Sequence, residues 1–185
     1  MEFKKHAFIL EVINGLKAGG SWTGKTHVQK TMFLVSEATP IQIPFEFVLY
    51  KHGPYSFDIE TELEQMKSYD AIVVQPISGY GVELKPSENA ALIERLSLLS
   101  PTEKEDVAEI CRFVGSKGVV ELERLATAVW IRNHDHITDP HEVAQRINAL
   151  KPHIKVSEAE EADQLVTSTL KLMPKQALAN EMASV

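Results

Sequence analysis

The spacing of apolar residues predicts two amphipathic helices in the first forty positions. Apolar side chains recur three and four positions apart over residues 5–17, and the pair Gly19-Gly20 interrupts this pattern. A second helical pattern covers residues 24–38, and Pro40 follows it. The sequence therefore predicts a pair of helices joined by a short glycine-containing connection.

Strand patterns come next. Residues 45–49 follow the two-residue period of a strand, and Gly53-Pro54 is predicted to turn the chain after it. Residues 71–75 and 82–84 flank a segment rich in proline, serine and glycine, which is typical of a β-hairpin or wing. Together with the two helices, these elements suit a winged-helix-like region over residues 1–86.

A third helix is predicted between the strands, with Ser56 as its capping residue. This helix carries four carboxylates, which are Asp58, Glu60, Glu62 and Glu64. It occupies the position that faces DNA in a winged helix. Because each carboxylate would oppose a phosphate, the charge of this helix disfavours contact with nucleic acid.

Every pattern after residue 86 is helical, and three cap signals mark helix starts. Ser100 precedes Glu103, Asp139 precedes Glu142, and Ser157 precedes Glu160 at the spacing of a capping box. The predicted helices cover residues 87–98, 100–116, 119–133, 139–150 and 157–173. The predicted fold class is mainly α with a small β-hairpin (α+β). A winged-helix-like N-terminal half is followed by a helical bundle over residues 87–173, packed with it as one compact unit, and by a flexible tail over residues 174–185.

Composition narrows the class of protein. The chain has 185 residues, of which 44% are hydrophobic, so it can bury a substantial core. One cysteine, Cys111, allows no internal disulfide and favours a reducing, cytoplasmic compartment. No apolar run approaches the roughly 20 residues that span a bilayer. A net charge of -7 gives no overall attraction to nucleic acid or to anionic lipid, so no membrane partner is expected.

Several segments resemble one known family. They are the helical segment containing Gln29-Lys30, the sequence Tyr-Lys-His-Gly-Pro-Tyr over residues 50–55, the helical segment over residues 121–130, and Leu-Lys-Pro over residues 150–152. Together they resemble the YwgA-like proteins and the related Panacea or SocA-type antitoxin domains. The resemblance covers roughly residues 15–173, although Thr31 and Met32 replace the leucines usual after the Gln-Lys pair. It implies an antitoxin or adaptor that acts through protein contacts.

Two groups of chemically reactive residues are candidates for an enzymatic site. The histidines His134, His136 and His141 lie close together, but a polar loop between helices accounts for them, so no metal and no cofactor are predicted. No serine lies in an activating motif, and Cys111 lies on an apolar helical face. The sequence thus predicts a protein that is not an enzyme, with metal-dependent activity at the His134 loop as a third alternative.

Two functions remain. The first is a non-enzymatic protein-interaction module of antitoxin or anti-phage defence type, whose partner is a toxin or a defence effector. Its predicted partner-binding residues are Tyr50, His52, Tyr55, Asp58, Glu60 and Glu64. The alternative is a winged-helix DNA-binding transcriptional regulator that contacts phosphates through Lys25, His27 and Lys30. The sequence leaves the oligomeric state open.

Overall fold

A computed structural model describes residues 2–79, 81–96 and 98–172. Over these ranges the chain forms eight helices and two separate antiparallel hairpins. In chain order the elements are α1 (Glu2–Ala18), α2 (Lys25–Ala38), β1 (Val48–Tyr50), β2 (Gly53–Tyr55), α3 (Phe57–Ser68), β3 (Ile72–Ile77), β4 (Gly81–Pro86), α4 (Ala90–Glu94), α5 (Pro101–Val114), α6 (Val119–His134), α7 (Pro140–Leu150) and α8 (Val156–Thr169). The predicted class, mainly α with a small β content, is confirmed. The tail predicted over residues 174–185 lies outside the described residues.

The first two helices match their prediction closely. Helix α1 ends before Gly19-Gly20, and Gly20 adopts a φ of 69° that suits glycine. Helix α2 begins after Gly24, which is its N-cap residue. Glycine therefore ends one helix and begins the next.

The first hairpin corrects the predicted strand and turn. Strand β1 begins at Val48, and Leu49 pairs with Pro54, so Gly53-Pro54 lies inside strand β2 while Lys51 and His52 form the turn. Proline has no backbone N–H to donate, yet it is tolerated here because the sheet has only two strands and leaves one side of each unpaired. The apolar residues at 45 and 47 are not in a strand; their spacing reflects their packing on the core.

The second hairpin confirms the β-hairpin predicted around residues 71–84 and extends it. Ile72 pairs with Pro86 and Ile77 with Gly81. Thr23 ties this hairpin to the start of α2: its backbone carbonyl accepts from the Leu84 N–H at 3.1 Å, and its hydroxyl donates to the Leu84 carbonyl at 2.9 Å. The second hairpin is therefore anchored to the helices.

In the second half of the chain, local sequence signals predict some helix starts correctly and others wrongly. Ser100 and Glu103 form the predicted capping box of α5, and the Asp139 side chain caps α7. Helix α4 is much shorter than the prediction for residues 87–98, because residues 88–89 form a turn before it and residues 95–96 form a turn after it. The cap predicted at Ser157 is wrong: the Glu158 carboxylate accepts from the Lys155 N–H at 3.1 Å, so α8 begins one residue before Ser157.

Helices from both halves build one hydrophobic core. The rings of Phe33 on α2 and Trp130 on α6 stack with centroids 5.9 Å apart. Helix α1 approaches α5 so closely that a Cβ on Gly15 would lie 2.7 Å from the Cys111 Sγ. None of the helices within the described ranges is long and apolar enough to cross a membrane.

Candidate functional site

The side chain of Gln29 on α2 fixes the junction between β2 and α3. Its amide nitrogen donates to the Ser56 carbonyl at 2.8 Å, and its amide oxygen accepts from the Ser56 N–H at 2.9 Å. The buried amide thus takes the place of a neighbouring strand. Helix α3 consequently leaves the hairpin in a fixed direction.

Three buried charged residues, Lys30, Glu123 and Lys151, lie beneath the hairpin and are called the hairpin cluster below. The Lys30 Nζ donates to the Pro54 carbonyl at 2.7 Å. The Lys151 Nζ donates to the Lys51 carbonyl at 2.7 Å and lies 2.7 Å from the Glu123 Oε1. Two ammonium groups therefore hold one carbonyl in the turn and one in strand β2, and one carboxylate compensates part of their charge.

The hairpin cluster has an excess of positive charge inside the protein. Burial and, to a smaller extent, the nearby Lys151 lower the pKa of Lys30 to about 8, and Glu123 opposes this shift. His52 and His153 are exposed at the rim, with nitrogens 3.7 and 3.8 Å from the Glu123 carboxylate. The hydrogen bonds from the two buried lysines hold the hairpin backbone in one orientation.

Gly53 lies directly over the hairpin cluster and must be glycine for two reasons. Its φ of 87° is one that other residues rarely adopt. A Cβ at this position would also lie 3.1 Å from the Thr127 Oγ1 and 3.6 Å from the Lys30 Nζ. The hairpin therefore packs closely on α2 and α6.

Above this support, the rings of Tyr50, Tyr55 and Phe57 form a second group, called the aromatic cluster below. Their centroids are 5.8 Å apart for Tyr50 and Tyr55, 5.9 Å for Tyr50 and Phe57, and 5.1 Å for Tyr55 and Phe57. Tyr50 and Phe57 are each 58% exposed. Large aromatic rings that contact one another in solvent, on a backbone held from beneath, form a preorganised contact surface.

A cavity of about 210 Å³ adjoins the aromatic cluster. The two tyrosines form part of its wall, together with Lys25, Thr26, Gln29, Lys30, His52, Gly53 and Glu60. The cavity suits a side chain rather than a drug-sized molecule, since typical ligand sites have about 300–1,000 Å³.

The carboxylates of α3 are not all free to meet a partner. Glu60 and Glu64 both pair with Lys25, with a distance of 3.3 Å for Glu64. Burial opposes the charge on Lys25, but its bonds to Glu60 and Glu64 outweigh burial and raise the pKa of Lys25. Glu62 is buried against His6, which corrects the prediction of an exposed carboxylate there. The outer face of α3 is therefore less negative than its sequence indicates.

The predicted basic edge on α2 is not an exposed surface. His27 and Lys30 are both buried. The His27 Nε2 lies 3.0 Å from the Lys117 carbonyl, and burial lowers the pKa of His27, which favours the uncharged ring. Of these three residues Lys25 alone is partly exposed, and its ammonium group forms ion pairs with acidic residues of α3. These three residues do not form a surface that could release counterions from DNA.

The predicted histidine group is dispersed. His134 stacks on Trp130 at 3.9 Å between centroids and lies 3.3 Å from the buried Glu37. His136 is exposed, and the His141 Nδ1 lies 3.0 Å from the Glu160 carboxylate. Within residues 2–79, 81–96 and 98–172, no three histidine, cysteine or acidic side chains are grouped to hold a metal. The contacts of His134 and His141 with these carboxylates link different helices.

Cys111 is also unsuited to nucleophilic chemistry. Its side chain is buried between α5 and α1. Burial raises the pKa of the Cys111 thiol to about 12, so the reactive thiolate is scarce near neutral pH.

Comparison of the chain with protein-family models finds no match, and comparison with curated proteins finds none either. The resemblance to the YwgA-like proteins therefore remains a prediction. All four segments on which it depends nevertheless meet at one place: Gln29-Lys30, the hairpin over residues 50–55, the α6 residue Glu123, and Lys151 all contribute to the hairpin and its support.

Residues of this site that sequence reasoning missed are of two kinds. Phe57 is aromatic but lies outside the apolar stripe of α3, and that position was a usable signal. Glu123 and Lys151 resemble ordinary surface charges in sequence. Only tertiary packing brings them under the hairpin, so helical periodicity gave no signal for them; their position in the segments 121–130 and 150–152 of the family resemblance was the usable signal.

Proposed function

We propose that the protein is a non-enzymatic interaction module that docks a protein partner through the aromatic cluster. The observation that carries the proposal is the exposure of Tyr50 and Phe57, which contact the half-buried Tyr55, beside a hairpin whose backbone is held by two buried lysines. Aromatic side chains commonly supply most of the energy at protein interfaces. Because their backbone is already ordered, little conformational entropy remains to be lost on binding.

Charges around the aromatic cluster supply orientation rather than most of the affinity. Asp58 and Glu64 are exposed beside it on α3, and Lys25 lies between Glu60 and Glu64. A partner with a basic rim complements the acidic side chains, and such rim contacts mainly influence the association rate. The 210 Å³ cavity accepts one projecting side chain of the partner.

The resemblance to antitoxin domains suggests the class of partner. A toxin or a defence effector is the partner we propose, and it is held by surface contact without chemical modification. DNA binding is the weaker proposal, because His27 and Lys30 are buried and the adjacent helix carries acidic side chains.

An affinity capture from the native host tests this proposal. Tyr50→Ser and Phe57→Ser should each lose a protein that the unaltered chain retains, since each removes an exposed ring from the proposed contact. Val120→Ser is the matched control, because Val120 is also an exposed apolar residue but lies at the start of α6.

Retention of the same proteins by both ring variants would contradict docking at the aromatic cluster. Retention of the protein on duplex DNA at low salt, abolished by Lys25→Gln but not by Phe57→Ser, would instead support the regulator.

A further inference from the structure

A cavity of about 670 Å³ lies away from the hairpin, between the start of α1, the end of α3 and the region of α4. Its apolar wall is formed by Phe3, Leu92, Ile93 and Leu96. Phe3, Leu92 and Leu96 are 53%, 62% and 54% exposed. Large apolar side chains left in solvent around one concave space mark a binding site. Covering this apolar area lowers the free energy of the system, because the area is removed from water.

The cavity has one polar end, built on a chain of hydrogen bonds. The Tyr69 hydroxyl lies 2.7 Å from the His6 Nδ1, and the His6 Nε2 lies 2.7 Å from the Glu62 Oε2. His6 and Glu62 are buried, and Lys5 lies 3.1 Å from the second oxygen of Glu62. Tyr69, His6 and the amide of Asn89 line the cavity itself.

Charge balance decides which polar group fits. The Lys5 ammonium compensates the Glu62 carboxylate behind the imidazole, so these two groups together add no net charge to the polar end. A bound carboxylate would lose hydration without meeting a lysine or an arginine among the residues that line the cavity, and that loss is costly. A hydroxyl or carbonyl group needs only a hydrogen bond, which a phenol or an amide can exchange.

We propose that this cavity binds a small apolar molecule with a single uncharged hydroxyl or carbonyl group. The apolar body covers Phe3, Leu92 and Leu96, and the polar group contacts the Tyr69 end. The volume lies within the range of about 300–1,000 Å³ that is usual for small-molecule sites. The residues involved are distinct from those of the aromatic cluster, so this site is independent of partner docking.

Titration with 1-octanol and with octanoate at pH 8 tests the proposal, because the two probes share an apolar chain and differ in the charge of the polar group. Methyl resonances of Leu92, Ile93 and Leu96 should shift with octanol in NMR spectra, and octanoate should bind about tenfold more weakly or worse. Leu92→Ser should weaken octanol binding by about tenfold through lost apolar contact. Tyr69→Phe should weaken it by a few-fold and should leave octanoate unchanged.

Val120→Ser serves again as the control and should bind octanol like the unaltered chain. Circular dichroism verifies that each variant is folded. Equal affinities for the two probes, or the absence of shifts at the cavity methyls, would overturn the proposal. So would a dimer in sedimentation equilibrium that Leu92→Ser dissociates, because a second copy of the chain would then cover these side chains.

Discussion

The buried ammonium group of Lys30 donates a hydrogen bond of 2.7 Å to the carbonyl of Pro54. A lysine from α2 thus fixes the backbone that presents the aromatic cluster, at the cost of burying a charge. This relationship makes the stability of the hairpin dependent on pH.

The lowered pKa of Lys30 predicts a gain in stability at alkaline pH. Between about pH 8 and 10.5 the unfolded chain holds a proton on Lys30 that the folded chain has released, so the free energy of unfolding contributed by this group rises with pH. The slope cannot exceed about 1.4 kcal/mol per pH unit, the value for one proton.

Urea unfolding at several pH values, compared between the unaltered chain and Lys30→Met, measures this contribution. The free energy of unfolding of the unaltered chain should rise relative to that of Lys30→Met as the pH increases from about 8 to 10.5. A difference that stays constant with pH would show that Lys30 titrates normally.

Gly53→Ala should destabilise the protein more than Gly79→Ala does. Both glycines have positive φ, 87° and 79°, so alanine strains either backbone by about 1–2 kcal/mol. A new Cβ at Gly53 also meets the Thr127 Oγ1 at 3.1 Å, whereas nothing lies within 4 Å at Gly79. Chemical denaturation of both variants provides the comparison, and equal losses would contradict close packing of the hairpin.

The two serine N-caps should respond differently to alanine. Ser100→Ala should cost about 1 kcal/mol, because the Ser100 Oγ accepts from the Glu103 N–H. Ser56→Ala should be nearly neutral, because the Ser56 Oγ is buried without a hydrogen-bond partner among the residues described here. Thermal unfolding of the two variants distinguishes these outcomes; a large loss for Ser56→Ala would reveal a capping role for its hydroxyl.

The pair formed by Lys25 and Glu60 should contribute little to stability. Both side chains are about one-third exposed, so solvent screens their attraction, and the coupling energy should stay below about 1 kcal/mol. A double-mutant cycle with Lys25→Met and Glu60→Gln measures it directly. A larger coupling that persists in high salt would mean that the pair supports the hairpin rather than only neutralising the face of α3.

Local chemistry made much of the fold predictable from sequence. Ser100 and Glu103 mark the start of α5 because their hydrogen bonds span three residues. The sequence Gly53-Pro54 was misleading because glycine and proline favour turns in general, whereas strand pairing placed Lys51 and His52 at the turn. The register of β1 against β2 depends on which residues of the two strands pair, and the local pattern around Gly53-Pro54 does not contain that information.

The candidate site was predictable only in part. Tyr50 and Tyr55 were identified because aromatic residues beside a tight connection suit an interface, and both lie in the aromatic cluster. Their support could not be identified from local patterns, since Glu123 belongs to a helix far along the chain. The burial of Glu62 was also hidden, because its partner His6 lies 56 positions away.

The hydrogen bond from Lys151 to the carbonyl of Lys51 spans 100 positions of the chain. During synthesis, the hairpin emerges long before this support exists. Closing a contact of such length is entropically costly, and it must wait until helices α6 and α7 have packed. The aromatic cluster is therefore among the last surfaces to mature, and a nascent chain that stops before Lys151 presents it without the full support described above.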